Sequence, residues 1–148
     1  MSAAPALTPE QFAHFLEMPV RWGDMDALGH VNNARFFTYD ESVRLDYFAP
    51  IIAGDPDFWT QHGFILASIS CDFLSQLKPP ADMRLGFRIA KLGRSSMRSE
   101  SCVFVDQRPV AVVRGVICWF DYVAQKTAPI PVHIRQTIIE REVVPPEQ

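Results

Sequence analysis

An α+β domain, one long helix packed on an antiparallel sheet, is what the order of periodicities along the chain predicts. From Asn33 to Phe48 apolar residues recur at spacings of three and four. From Ile65 onward the period switches to two and holds through four consecutive strand-like runs. The last of these, "PVAVVRGVICWFDY" (109–122), is apolar on both faces, as expected of a central strand covered on both sides.

Taken in order, Thr8-Pro9-Glu10-Gln11 signals a helix start, with Thr8 as cap, Pro9 in the first turn and Gln11 placed to reach back. Pro19 ends that short helix, and "PVRWGD" reads as a brief strand running into a loop at Gly23. In the long helix Phe36, Tyr39, Val43 and Tyr47 share one face. Phe37, Leu45 and Phe48 add a second apolar side, which predicts a helix wrapped over much of its surface. Asn32 or Asn33 suits its N-cap. "APIIAGDPDFWTQHG" (49–63), with two prolines and two glycines, reads as an irregular connection.

In the first long strand Ile65, Ala67, Ile69, Cys71 and Phe73 alternate with Leu66, Ser68, Ser70 and Asp72, and Pro79-Pro80 ends it. Leu85, Phe87 and Ile89 alternate with Arg84 and Arg88 in the next, which stops at Gly93. Residues 96–105 and 109–122 make two more strands around a turn at Asp106 to Pro109. "PVHIRQTIIERE" (131–142) is a short amphipathic helix. A sheet with one face on its own helix leaves long edges and apolar positions to cover, and a second copy of the chain covers both most simply.

The chain has 148 residues, 48% hydrophobic and 21% charged, which fits a single domain over 1–148 with its core at about 19–122. A formal net charge of −3 supplies no attraction for nucleic acid. The opening "MSAAPALTPEQF" has neither a basic n-region nor an apolar h-region, so no secretory signal is expected. No apolar run reaches the ~20 residues that span a bilayer. Cys71, Cys102 and Cys118, an odd number set in apolar strands, read as reduced core thiols and point to the cytoplasm.

The unusual stretch is "RWGDMDALGHVNNARFF" (21–37). Gly23 and Gly29 allow tight backbone geometry on either side of Asp26. The helix starts a few residues later, so its unpaired N–H groups face the same small volume as that carboxylate. Such amides attract anions and can polarise a carbonyl as its oxygen gains charge. A carboxylate beside them can attack that carbonyl or take a proton from an attacking water. Asp24 reads as a plain loop cap.

With these residues in view, "RWGDMDALGHVNNARFFTYDESVR" resembles the signature of the hotdog-fold acyl-CoA thioesterases, the 4-hydroxybenzoyl-CoA thioesterase-like group. "ILASISCDFLSQLKP" and "KLGRSSM" stand where that family has its second strand and a turn between middle strands, so the resemblance runs from about Pro19 to Tyr122. It implies a curved antiparallel sheet wrapped around a long central helix, two protomers pairing their sheets, and a homodimer or a dimer of dimers (a homotetramer). It implies an acyl-CoA substrate and no cofactor, coenzyme A entering as part of the substrate. By position Asp26 matches the family's catalytic carboxylate, and the backbone N–H of Asn33 matches the donor that holds the thioester oxygen. "DALGHVNN" is also similar to the "DxNxHVNN" run of plant acyl-carrier-protein thioesterases, where His30 matches a functional residue and Leu28 replaces asparagine.

Arg84, Arg88, Lys91, Arg94 and Arg98 gather around Gly93. They are either solvated charges on strand faces or, for Arg88, Lys91 and Arg94 with Ser95 and Ser96, a cradle for the phosphates of coenzyme A. Two other functions fit the same scaffold. A hotdog hydratase or dehydratase resembles a G-D-x-N-P-x-H run with aspartate and histidine five apart; here Asp26 and His30 are four apart and the Asn-Pro is missing. A non-catalytic acyl-thioester binding protein would use the same residues as ligand contacts and release no thiol.

Overall fold

The computed structural model describes residues 7–148. Met1 to Ala6, part of the stretch read against a secretory signal, lie outside them. The expected first helix is only a 3-10 turn, Pro9–Gln11, in which Gln11 does reach back to accept the Thr8 N–H at 2.8 Å. Strand β1, His14–Pro19, occupies the rest of that segment. Leu16 and Met18 point to the core, opposite Leu85 and Met83 of strand β3, Asp82–Leu92. Long-range pairing thus overrode a locally capped helix, and Pro19 closes the strand at a sheet edge where its missing N–H does no harm. The strand expected at "PVRWGD" is instead a second 3-10 turn, Trp22–Asp24.

Helix α1, Arg35–Ala53, begins and ends later than its periodicity implies. Pro50 lies within its final turn, where a missing N–H costs a single bond while Ile51 and Ile52 still pack on the core. The predicted stripe of Phe36, Tyr39, Val43 and Tyr47 is buried, and Phe48 joins it. These rings stack on the sheet, Tyr47 on Phe87 at 4.9 Å and Phe48 on Phe64 at 4.5 Å between centroids. Burying each aromatic side chain stabilises the fold by about 1.5–3 kcal/mol. Leu45 is 45% exposed, so the chain covers α1 on one side rather than wrapping it.

The sheet is antiparallel, in the order β1-β3-β4-β5-β2, and curls around α1 as the hotdog fold requires. Strands β2 (His62–Phe73), β4 (Ser96–Val105) and β5 (Arg108–Asp121) match the period-two runs. Only β3–β4–β5 form a meander, since β2 pairs with β5 and is an outer edge. A bulge at Ala67 flips β2 midway: Phe64 and Leu66 face inward before it, opposite Trp119 and Ile117, and Ile69, Cys71 and Phe73 after it. Strict alternation puts Ile65 and Ala67 on the inner side; a bulge breaks that count by one residue. The β4–β5 turn has positive φ at both Asp106 (51°) and Gln107 (65°), the twist a two-residue hairpin needs.

A two-residue strand, β6 (Lys126–Thr127), pairs with the end of β5. Helix α2, Val132–Arg141, buries Ile134 and Ile138 as its amphipathic pattern predicts. Glu142 anchors its end, accepting the Tyr47 hydroxyl at 2.6 Å and the Ile89 N–H at 3.1 Å. The three cysteines are free thiols, but only Cys102 is buried and Cys71 and Cys118 are half-buried; burial pushes Cys71 up to about 11 and Cys102 up to about 12. No helix among the described residues is long and apolar enough to cross a membrane.

Candidate active site

The segment between β1 and α1 folds into a small hairpin. Met25 bridges Val31, the Asp26 N–H donates to the His30 carbonyl at 2.9 Å, and the Gly29 N–H donates to the Asp26 carbonyl at 3.1 Å. Gly29, with φ of 80°, takes the left-handed position that this turn needs. Gly23 sits in the tight Trp22–Asp24 turn without a positive φ, and a Cβ there would meet nothing within 4 Å, so that turn does not require glycine. The Leu28 N–H donates to Asp26 Oδ1 at 2.9 Å, an Asx turn that fixes the carboxylate and leaves Oδ2 without a partner among the described residues.

The cap position of α1 falls on Ala34, which has no side-chain cap, rather than on Asn32 or Asn33; Asn32 Oδ1 accepts the Ala34 N–H at 2.9 Å in the turn that leads into the helix. The Arg35 and Phe36 N–H groups turn back to the carbonyls of Asn32 and Asn33, so a tight first turn precedes the regular helix. Asn33 lies inside that turn, and its own N–H has no acceptor among the described residues. It is therefore one of the free amides that open a helix.

Asp26, His30 and Asn33 all line one groove of about 480 Å³. Its other wall is mostly apolar, built from Phe36 of α1 and from Phe73, Leu74 and Leu77 at and beyond the end of β2, with Ser75 and Gln76 between them. The Val31 N–H donates to the Leu77 carbonyl at 2.8 Å and holds the two walls together. Leu28, 77% exposed, and Leu74, 52% exposed, form an apolar rim. A carboxylate, an imidazole and a free amide beside an apolar trough can hold a polarised carbonyl with a greasy substituent.

The basic cluster is not part of this groove. Arg88 donates to Glu100 at 2.6 Å, and the Lys91 ammonium lies 3.9 Å from Glu147. Arg94 is exposed, while the backbone carbonyls of Arg94, Ser95 and Ser96 accept bonds from Ile130, Trp119 and Gly93. The Arg94 side chain remains at the surface, and Ser95 and Ser96 are half-buried.

Besides Glu142, two buried carboxylates escape the sequence pattern. Asp24 is 6% exposed and accepts the Tyr39 hydroxyl at 2.8 Å. Asp40, 3% exposed on the sheet-facing side of α1, accepts Ser101 Oγ at 2.6 Å and Arg44 at 2.5 Å. Burial raises its pKa above the usual carboxylate value, against the pull of Ser101 and Arg44. The available signal was its place beside Tyr39 in the apolar stripe, four residues before an arginine. Glu41 lies 4.0 Å from the same arginine.

Residues 20–138 match the model of the thioesterase-like superfamily, most of the chain. The chain belongs to that superfamily. Among solved members, a thioesterase of Thermus thermophilus in complex with coenzyme A and zinc is 33% identical, over 92% of this chain and 99% of that one, with a TM-score of 0.79. A Pseudomonas aeruginosa protein, PA2801, described as a putative thioesterase, is 28% identical over 86% of this chain and 99% of that one, with a TM-score of 0.76. The uncharacterized protein YsmA of Bacillus subtilis (strain 168) is 33% identical over 86 residues, 58% of this chain and 57% of that protein's length. The superfamily's hotdog architecture, a curled antiparallel sheet with one long helix, is the fold described above.

Proposed function

We propose that this protein hydrolyses an acyl-CoA thioester to the free acid and coenzyme A. The observation that carries the reading is the shared groove in which the Asp26 carboxylate and the unclaimed Asn33 N–H stand beside an apolar trough. Superfamily membership supports it, as does the coenzyme A held by the T. thermophilus relative. The Asn33 N–H polarises the thioester oxygen and stabilises the oxyanion. Asp26 either attacks the carbonyl carbon, forming an anhydride that water then opens, or takes a proton from the attacking water. In both routes the C–S bond breaks and coenzyme A leaves as its thiolate. His30, on the same wall, orients the water or the carboxylate. The acyl group lies along Phe36, Phe73 and Leu74, and Arg94, Lys91, Ser95 and Ser96 hold the phosphates, with Arg88 shared with Glu100.

The working unit in this reading is a homodimer, or a pair of such dimers, joined along β2. The β1 edge is short and carries Glu17 and Pro19, features that discourage pairing. The β2 edge is 12 residues long and its only ionisable side chains besides Cys71 are His62 and Asp72, near opposite ends. A two-fold axis near Ala67 sets the His62 end of one copy beside the Asp72 end of the other, and covers the apolar rim of each groove.

Thiol release from a panel of short, long and aromatic acyl-CoA esters tests the activity. Asp26→Asn should lower kcat by at least about 100-fold while calorimetry with a non-hydrolysable CoA thioether shows binding retained. Wild-type turnover in that variant would remove Asp26 from the chemistry.

A further inference from the structure

Asp24 lies two residues before Asp26, and as a mere cap of the Trp22–Asp24 turn it would have no reason to be buried. Its carboxylate Oδ2 accepts the Tyr39 hydroxyl at 2.8 Å and the Arg21 N–H at 3.1 Å, and its carbonyl accepts the Asn32 N–H at 2.9 Å. One residue is thus bonded to the chain before the hairpin, to the chain after it, and to α1 inside the helix body. The hairpin that carries Asp26 hangs between Asp24 and Asn32, and the Asn33 amide follows directly. Among the described residues Asp26 itself is bonded only within that hairpin, to His30, Gly29 and Leu28.

We infer that the buried Asp24–Tyr39 hydrogen bond is a positioning clamp that sets the separation of the Asp26 carboxylate from the Asn33 amide. The inference rests on the reading of Asp26 and Asn33 given above. Tyr39 is 1% exposed and is fixed by edge-on packing against Phe36, 5.7 Å between centroids, so its hydroxyl is a rigid reference point in the core. The guanidinium groups of Arg21 and Arg35 stand 3.9 Å from the carboxylate, and Arg35 also reaches the Gly23 carbonyl at 3.4 Å. Both are half in solvent, so they temper the buried charge without setting the geometry. Reacting groups must be held to within a fraction of an ångström, and a displacement of about 1 Å costs up to ~100-fold in rate. The Val31 side of the hairpin is held separately, by burial and by its N–H on the Leu77 carbonyl, so the Asp24 carboxylate is the tether on the side that carries Asp26, and its loss is transmitted to the site.

The test is steady-state thiol release by Tyr39→Phe, Asp24→Ala, Asp24→Asn and Asp26→Asn, assayed well below each variant's melting temperature. Tyr39→Phe and Asp24→Ala are expected to lower kcat by about 30-fold with KM within about threefold of wild type. Asp24→Asn, whose amide oxygen can accept both bonds, should recover most of what Asp24→Ala loses, since the clamp works through geometry. Tyr39→Phe with wild-type kcat, its effect confined to the melting temperature, would overturn the clamp and leave Asp26 untouched. An Asp24→Asn variant as slow as Asp24→Ala would assign the effect to charge and overturn it as well. If Asp26→Asn keeps its turnover, the site reading fails and takes the clamp with it.

Discussion

At the scale of single residues, three aspartates within seventeen positions do three different jobs because their surroundings differ. Asp26 faces a groove, Asp24 is buried against a phenol, and Asp40 is buried against a serine and an arginine. Asp40 matters most for stability. Removing its carboxylate leaves Ser101 unpaired in a buried setting and Arg44 with only the distant Glu41, so Asp40→Ala should cost about 2–4 kcal/mol, read from urea midpoints. Because its pKa is raised on folding, the neutral form favours the native state. That contribution is fully present below the unfolded value of 3.8 and is lost as pH rises through the folded value. Asp40→Asn can turn its oxygen to Arg44 and its amide to Ser101, keeping both contacts without titrating. It should therefore lack the stability that the wild type gains between neutral and mildly acid pH, as thermal melts from pH 7 to pH 4 would record.

Elements are held together by a few close approaches that a residue-by-residue reading passes over. Gly86 in β3 is one: a Cβ there would come within 2.8 Å of the Phe12 ring. Phe12 cannot easily retreat, because it is 4% exposed and packs edge-on against Phe104 at 5.8 Å. Alanine has the better strand propensity, worth a few tenths of a kcal/mol, but the clash is larger. Gly86→Ala should destabilise the protein by about 1–3 kcal/mol while leaving kcat unchanged, since Phe12 lies on the convex face away from the groove. The bulge at Ala67 works in the opposite direction: it adds a residue to β2 and so turns both Phe64 and Phe73 toward α1. Without it Phe73 would leave the wall of the groove.

For the whole molecule, the proposed assembly rests on the unequal edges of the sheet. A long, nearly uncharged edge pairs with whatever offers the same pattern, and a second copy does so by symmetry. Ala67 is exposed in the single chain and sits at the middle of β2. Ala67→Asp would set two carboxylates against each other across the two-fold axis. It should halve the mass seen by light scattering, preserve the circular dichroism spectrum and lower thioester turnover. A wild-type chain that scatters as a monomer would refute the pairing.

Much of the outline was legible in the order of residues, because hydrophobic period is a local property. The stripe from Phe36 to Tyr47, the runs of β3, β4 and β5, and the amphipathic α2 all record which side of an element meets the core. The stretch from Gly23 to Asn33 announced itself as well, since polar residues that are costly beside a core stand together at a helix start. Partners distant in the chain were not legible. β1 is a strand because β3 lies alongside it, against a helix signal at Thr8 and Pro9. Pro50 stays helical because Ile51 and Ile52 have a core to reach. Asp24 and Asp40 became buried anchors only when Tyr39 and Ser101 were folded against them. Periodicity is written into each segment; burial and hydrogen-bond partnership exist only once segments meet.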